Sequence, residues 1–223
     1  MAGWRTIGVI GGMGPAATVD FMGRLVMGAG AARDADHPRV LIDSNPHVPD
    51  RNAAINGTGP SPGPALAAMA ERLLDGGAEV LAMPCNAAHG WADAVRAVAG
   101  DRFIDIVDTA IAAAMAHRPR RIGIIAIGAT LDARLYDRAP VPVIAGDRAR
   151  VQALVNRIKA GDGGADVAAA MAQIAAELVA GGADVIIAAC TEVPLVLAQA
   201  AVTVPFIDAT AALAAATIAA ARV

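Results

Sequence analysis

The chain has 223 residues, of which 56% are hydrophobic, 17% charged and 3% aromatic, enough to bury one large core or two small ones, and this excludes a disordered chain. With 18 basic and 21 acidic residues and a pI near 5.7, there is no basic excess to displace counterions from a phosphate backbone. Nucleic acid is therefore excluded as a main partner, and a small molecule is expected. A mean hydropathy of +0.51 invites a membrane reading. The uncharged stretch from Ala53 to Ala70, however, carries Gly57, Gly59, Pro60, Pro62, Gly63 and Pro64 and cannot span as a helix, so no membrane partner is expected.

Taken in chain order, apolar runs of strand length alternate with alanine-rich helical stretches. The first run, Thr6–Ile10, follows Arg5 and leads into Gly11, Gly12, Gly14 and Pro15, a strand entering a glycine turn rather than a signal peptide. A cytoplasmic protein with reduced thiols is the expectation. Further strands are predicted at Val40–Ile42, Val80–Met83, Phe103–Ile106, Ile122–Ile127, Val141–Ile144, Val185–Ala188 and Val204–Ile207. Continuous hydrophobicity in these runs predicts strands covered on both faces, as in the parallel sheets of an α/β fold.

The second half repeats the first. Arg5-Thr6-Ile7-Gly8-Val9-Ile10 is similar to Arg120-Arg121-Ile122-Gly123-Ile124-Ile125, and Gly76-Gly77-Ala78-Glu79-Val80-Leu81 to Gly181-Gly182-Ala183-Asp184-Val185-Ile186. Phe103-Ile104-Asp105 recurs as Phe206-Ile207-Asp208. Three blocks in one order predict a duplication: two similar lobes, each a four-stranded mainly parallel sheet flanked by helices, related by a pseudo-twofold axis. The expected boundaries are 1–115 for the first lobe, 116–208 for the second, and 209–223 for a C-terminal helix packing back on the first.

Both cysteines fall at matched points of the repeat, in Met83-Pro84-Cys85-Asn86 and Ala188-Ala189-Cys190-Thr191. A single cysteine is commonly a small core hydrophobe. Two at equivalent strand ends, beside Asn86, Thr191 and Glu192, point to chemistry, because ligands of open α/β sheets bind at the carboxyl ends of the strands. Two lobes facing each other would aim both thiols at one cleft. Inverting a carbon centre by proton exchange needs a base on one face and an acid on the other, and a thiolate and thiol can exchange those roles. A helix start after each cysteine would favour the thiolate.

Ile7-Gly8-Val9-Ile10-Gly11-Gly12-Met13-Gly14-Pro15-Ala16-Ala17-Thr18, Pro84-Cys85-Asn86-Ala87-Ala88-His89 and Ala189-Cys190-Thr191-Glu192 together resemble the cofactor-independent aspartate/glutamate racemase family, its aspartate racemase branch in particular. The resemblance also takes in Asn45-Pro46, Pro49-Asp50-Arg51, Lys159-Ala160-Gly161 and Val204-Pro205-Phe206-Ile207-Asp208. It implies that Cys85 and Cys190 are the acid/base pair of an amino-acid racemase acting on aspartate or glutamate as a homodimer, with no pyridoxal phosphate and no metal. By analogy with glutamate racemases, Cys85 would serve the D enantiomer and Cys190 the L. Arg51 and Lys159, the chain's one lysine, would hold the substrate carboxylates, and Met13, Asn86, Ala87, Thr130 and Thr191 would line the substrate. Ala87 stands where relatives usually carry threonine, and Ala126–Thr130 lacks hydroxyl residues that often precede its final threonine.

Other readings compete for the same residues. Gly12-x-Gly14-x-x-Ala17 after a strand, with Asp43 ending the next, fits a dinucleotide site but gives the paired cysteines no role. Cys85 and His89 have a zinc-compatible spacing without a second ligand pair, which favours a packed histidine. His37, His47 and His117 are isolated, Ser44 and Ser61 lie in no nucleophile elbow, and no pattern supports Lys159 as a Schiff base. A duplicated non-catalytic binding protein would need neither thiol.

Overall fold

In the computed structural model, which describes residues 3–223, the apolar runs become two four-stranded parallel sheets. β1 (Ile7–Gly11), β2 (Val40–Ser44), β3 (Val80–Ala82) and β4 (Phe103–Ile104) form one, in the order β2-β1-β3-β4. β5 (Ile122–Ile125), β6 (Val143–Ala145), β7 (Val185–Ala188) and β8 (Phe206–Asp208) form the other, in the order β6-β5-β7-β8. The central strands β1, β3, β5 and β7 are buried along their whole length. Helices on both faces explain why these runs do not alternate. The register sets Ile7 beside Val40 and Val80 in one sheet, and Ile122 beside Val143 and Val185 in the other.

Several ends differ from the pattern-based expectation for local reasons. β6 and β8 begin after Pro142 and Pro205, which lack an N–H; their carbonyls accept from Ile122 and Ile186 and so start the ladders. At the other end of β4, Ile106 already opens a helix instead of closing the strand.

The connections are helical: α1 (Pro15–Ala29), α2 (Arg51–Ile55), α3 (Gly63–Asp75), α4 (Ala92–Ala99), α5 (Ile106–Met115), α6 (Gly128–Asp132), α7 (Arg148–Lys159), α8 (Ala165–Ala180) and α9 (Ala209–Ala221). The compact units are residues 1–106 with 210–223, and residues 107–209. The expected boundary at 115 therefore moves to 106, because α5 clusters with the second unit. The last helix belongs to the first unit: the Arg5 N–H donates to the Ala221 carbonyl, and Trp4 pairs with Arg222.

The duplication extends to packing. A Cβ at Gly8 would lie 2.4 Å from Leu81, 2.8 Å from Ala78 and 3.3 Å from Leu73. One at Gly123 would lie 2.6 Å from Ile186, 3.0 Å from Ala183 and 3.2 Å from Leu178, the same three positions of the repeat. Glu79 accepts from the Thr6 N–H and Asp184 from those of Arg120 and Arg121, so an acid heads the central strand pair in each unit. Those amides hold the Asp184 carboxyl below its usual range.

Candidate active site

Each cysteine lies just beyond a central strand and before a 3₁₀ segment: Ala87–Trp91 after Cys85, which runs directly into α4, and the three-residue turn Val193–Leu195 after Cys190. Both are buried, at 5% exposure. The short turn after Cys190 carries little of the dipole expected to favour a thiolate, and Cys190 departs the other way. Burial pushes its thiol well above the ordinary range, and the Glu192 carboxylate pushes it further, opposed by the Glu192 backbone N–H and by Lys159. The Cys190 Sγ–H donates to Glu192 Oε2 at 3.0 Å, and Thr191 Oγ1 donates to the same oxygen at 3.3 Å. Glu192 is itself 4% exposed.

In the first unit, the Cys85 loop is fastened by His89. The Ile106 N–H donates to Nε2 at 3.2 Å, so the ring proton sits on Nδ1 and is donated to the Cys85 carbonyl at 2.9 Å. The ring stacks on Phe103 with centroids 5.5 Å apart. Buried Asp105 accepts from Arg96 and stands 3.8 Å from His89 Nε2. With both ring nitrogens engaged, His89 is a packed histidine, and no cluster of three metal-ligating side chains occurs among the described residues.

The other predicted residues fall at the same carboxyl edges of their own sheets. Met13 follows β1 and is buried, Arg51 opens α2 after β2, and buried Asn86 and Ala87 follow Cys85. Half-buried Arg51 donates through Nη1 to the carbonyls of Val48 and Pro49, at 3.1 and 3.0 Å, which fixes its fork. No carboxylate pairs with it among the described residues. In the second unit, Thr130 sits on α6 after β5, held by the Arg148–Asp132 pair that joins α6 to α7 at 2.7 Å. Its hydroxyl is buried with no hydrogen-bond partner. Lys159 ends α7, where Arg157 ties the α7–α8 turn through Asp162 and Asp166. Its ammonium stands 3.8 Å from Glu192 Oε1, so it is engaged with a protein acid as well as open to solvent.

The glycine turn is explained by the chain itself. Gly12 has φ +92°, and a Cβ there would come within 2.4 Å of the Asn45 backbone, while its N–H donates to Thr18 Oγ1 at 2.8 Å. Asp43, the acid of the dinucleotide reading, receives two bonds from Arg72. Two residues stand out that sequence reasoning used only as neighbours or set aside: Glu192 and His89. The signal for the first was present, since the repeat places Glu192 opposite Ala87.

Residues 10–217 match the model of the Asp/Glu/hydantoin racemase family. The chain is 26% identical to the broad specificity amino-acid racemase RacX of Bacillus subtilis, over 95% of this chain and 96% of that one. It resembles the solved structure of Picrophilus torridus aspartate racemase, with a TM-score of 0.83 at 27% identity over 97% of this chain and 94% of that one. Glutamate racemase from Francisella tularensis shares the fold, with a TM-score of 0.66 at 18% identity over 94% and 78% of the two chains. No helix is long and apolar enough to cross a membrane among the described residues. Two parallel sheets of one strand order and a match across nearly the whole sequence lead to one conclusion: the chain belongs to the Asp/Glu/hydantoin racemase family and is an isomerase, an amino-acid racemase.

Proposed function

We propose that the protein interconverts L and D aspartate or glutamate without a cofactor, by two-base proton transfer at Cα through Cys85 and Cys190. The observation that carries this reading is the pair of buried thiols beyond the equivalent strands β3 and β7. The thiolate of one cysteine takes the Cα proton, and the electron pair left on Cα is delocalised into the α-carboxylate. The thiol of the other cysteine then delivers its proton to the opposite face, which inverts the centre and leaves the two sulfurs with exchanged roles. By analogy with glutamate racemases, Cys85 serves the D enantiomer and Cys190 the L.

Arg51, with its fork fixed by two carbonyls, takes one substrate carboxylate bidentately, and Lys159 takes the other. Thr130 has a buried hydroxyl that a ligand oxygen would satisfy. Met13, Asn86, Ala87 and Thr191 complete the lining. Ala87 supplies no hydroxyl, so the site offers one neutral donor fewer than a threonine would give. The protein acts in the cytoplasm, where thiols stay reduced, and as a homodimer. Val19, Val26 and Met27 on α1, exposed by 73%, 42% and 81%, support a second copy as their cover; light scattering checks the mass.

The test is solvent deuterium incorporation at Cα in metal-free, pyridoxal-free D₂O, with aspartate and glutamate supplied as single enantiomers. Labelled product of both configurations is expected. An absence of exchange with every dicarboxylic amino acid overturns the substrate assignment.

A further inference from the structure

We infer that Glu192 holds Cys190 in its protonated form in the resting enzyme, so that the enzyme meets its first substrate molecule set to take the Cα proton at Cys85 and to give one from Cys190. The inference rests on the two-cysteine reading and adds to it a functional difference between the two half-sites. Two residues after Cys85 the chain has Ala87, and two residues after Cys190 it has Glu192. Both cysteines follow a central strand and are equally buried, while Ala87–Trp91 runs on into α4 and Val193–Leu195 is an isolated turn.

The geometry fixes the direction. Glu192 Oε2 lies 3.0 Å from Cys190 Sγ and takes the thiol proton as a hydrogen bond, while Thr191 Oγ1 donates to the same oxygen and keeps the carboxylate an acceptor. A Cys190 thiolate would place two buried anions at that separation. The charged groups acting on Cys190 are Glu192 and, from α7, Lys159, whose ammonium stands 3.8 Å from the far oxygen, Oε1, on a side chain 39% exposed. Its screened charge offsets Glu192 only in part. Burial of the sulfur works in the same direction as Glu192.

The proton balance through a turnover follows. The Cys85 thiolate gains the Cα proton, the electron pair of that C–H bond remains on Cα, and the Cys190 S–H bond breaks as its proton joins Cα from the other face. The enzyme is left with a Cys85 thiol and a Cys190 thiolate beside Glu192. Repulsion from Glu192 drives Cys190 to recover a proton from water while Cys85 gives one up, which restores the resting form. L and D amino acids have equal free energy in solution, so kcat/KM must stay equal in the two directions for any variant. Glu192 therefore shows itself in thiol reactivity and in kcat and KM taken separately.

The experiment follows alkylation of each cysteine by iodoacetamide against pH in the full-length protein, resolved by peptide mass spectrometry, for wild type, Glu192→Gln and Glu192→Asp. In the wild type, Cys190 alkylation should rise only above about pH 9, the ordinary thiol range. Glu192→Gln should move that profile down by at least about one unit, roughly tenfold faster at pH 8, and leave Cys85 where it was. Glu192→Asp, which keeps the charge, should stay near wild type. A Cys190 profile unchanged by Glu192→Gln overturns the inference, and so does equal acceleration of both cysteines in both variants, which marks a structural role. If Glu192→Gln does not fold, a wild-type Cys190 that titrates at or below about pH 8 overturns it alone. Racemisation by Cys85→Ala or Cys190→Ala would instead defeat the two-cysteine reading, whatever the alkylation profiles show.

Discussion

Thr130 offers a perturbation in which stability and activity should move in opposite directions. The residue is 1% exposed and its hydroxyl has no hydrogen-bond partner, whereas Thr217, also buried, donates to the Leu213 carbonyl at 2.7 Å. Thr130→Val is nearly isosteric and removes a desolvated, unsatisfied hydroxyl, which should stabilise the protein by about 1–2 kcal/mol. For a chain of this length that raises Tm by about 2–8 °C. If the hydroxyl meets the substrate, the same change removes a neutral hydrogen bond worth about 0.5–1.5 kcal/mol, and kcat/KM should fall about two- to tenfold. Thr217→Val, a control that breaks a satisfied bond, should lower Tm and leave kcat/KM alone. Calorimetry and a chiral assay of both enantiomers read the two quantities. A Thr130→Val protein that loses stability as the control does, with unchanged kcat/KM, would refute the reasoning.

Gly8→Ala and Gly123→Ala should each destabilise by about 1–3 kcal/mol, because the added methyl meets packed side chains within 2.4 and 2.6 Å; denaturant midpoints that stay unchanged would contradict the matched packing. Arg51→Ala should lower kcat/KM for a dicarboxylic substrate by about one to two decades, from the loss of a charge-assisted contact of about 1.5–3 kcal/mol. Unchanged kinetics would remove Arg51 from the site. The raised Cys190 thiol means that, above about pH 9, the unfolded chain gives up a proton that the native state keeps. Its contribution is thus fully present below that pH and is lost as pH rises toward the folded value. Urea midpoints at pH 8 and pH 10 should fall less for Cys190→Ala than for wild type, and parallel falls would contradict the shift.

Most of the fold was legible because its signals are local. Apolar runs without alternation marked the central strands, and the repeated Gly-Gly-Ala-acid block marked the approach to β3 and β7. Strand ends at Pro142 and Pro205 were less legible, since they depend on which carbonyl begins each ladder. The unit boundary moved from 115 to 106 because tertiary contacts assign α5. The matched positions of the two cysteines beyond β3 and β7 were legible from the duplication alone. The Cys190–Glu192 contact could not, because it turns on a rotamer and on burial that withdraws a carboxylate from water. Gly12 looked like room for a ligand, but three-dimensional proximity to Asn45 makes it room for the chain's own backbone.

The central claim, that Cys85 and Cys190 act together on one Cα, is tested most directly with the single variants Cys85→Ala and Cys190→Ala. Each enantiomer of aspartate and glutamate is supplied in D₂O, and both the inverted product and deuterium in the recovered substrate are measured. Each variant should lose inversion, by about two to four decades relative to wild type if acid/base catalysis at either face is removed. Exchange without inversion should persist, if at all, only for the enantiomer whose base remains. A variant lacking either thiol that inverts substrate at the wild-type rate would contradict the account.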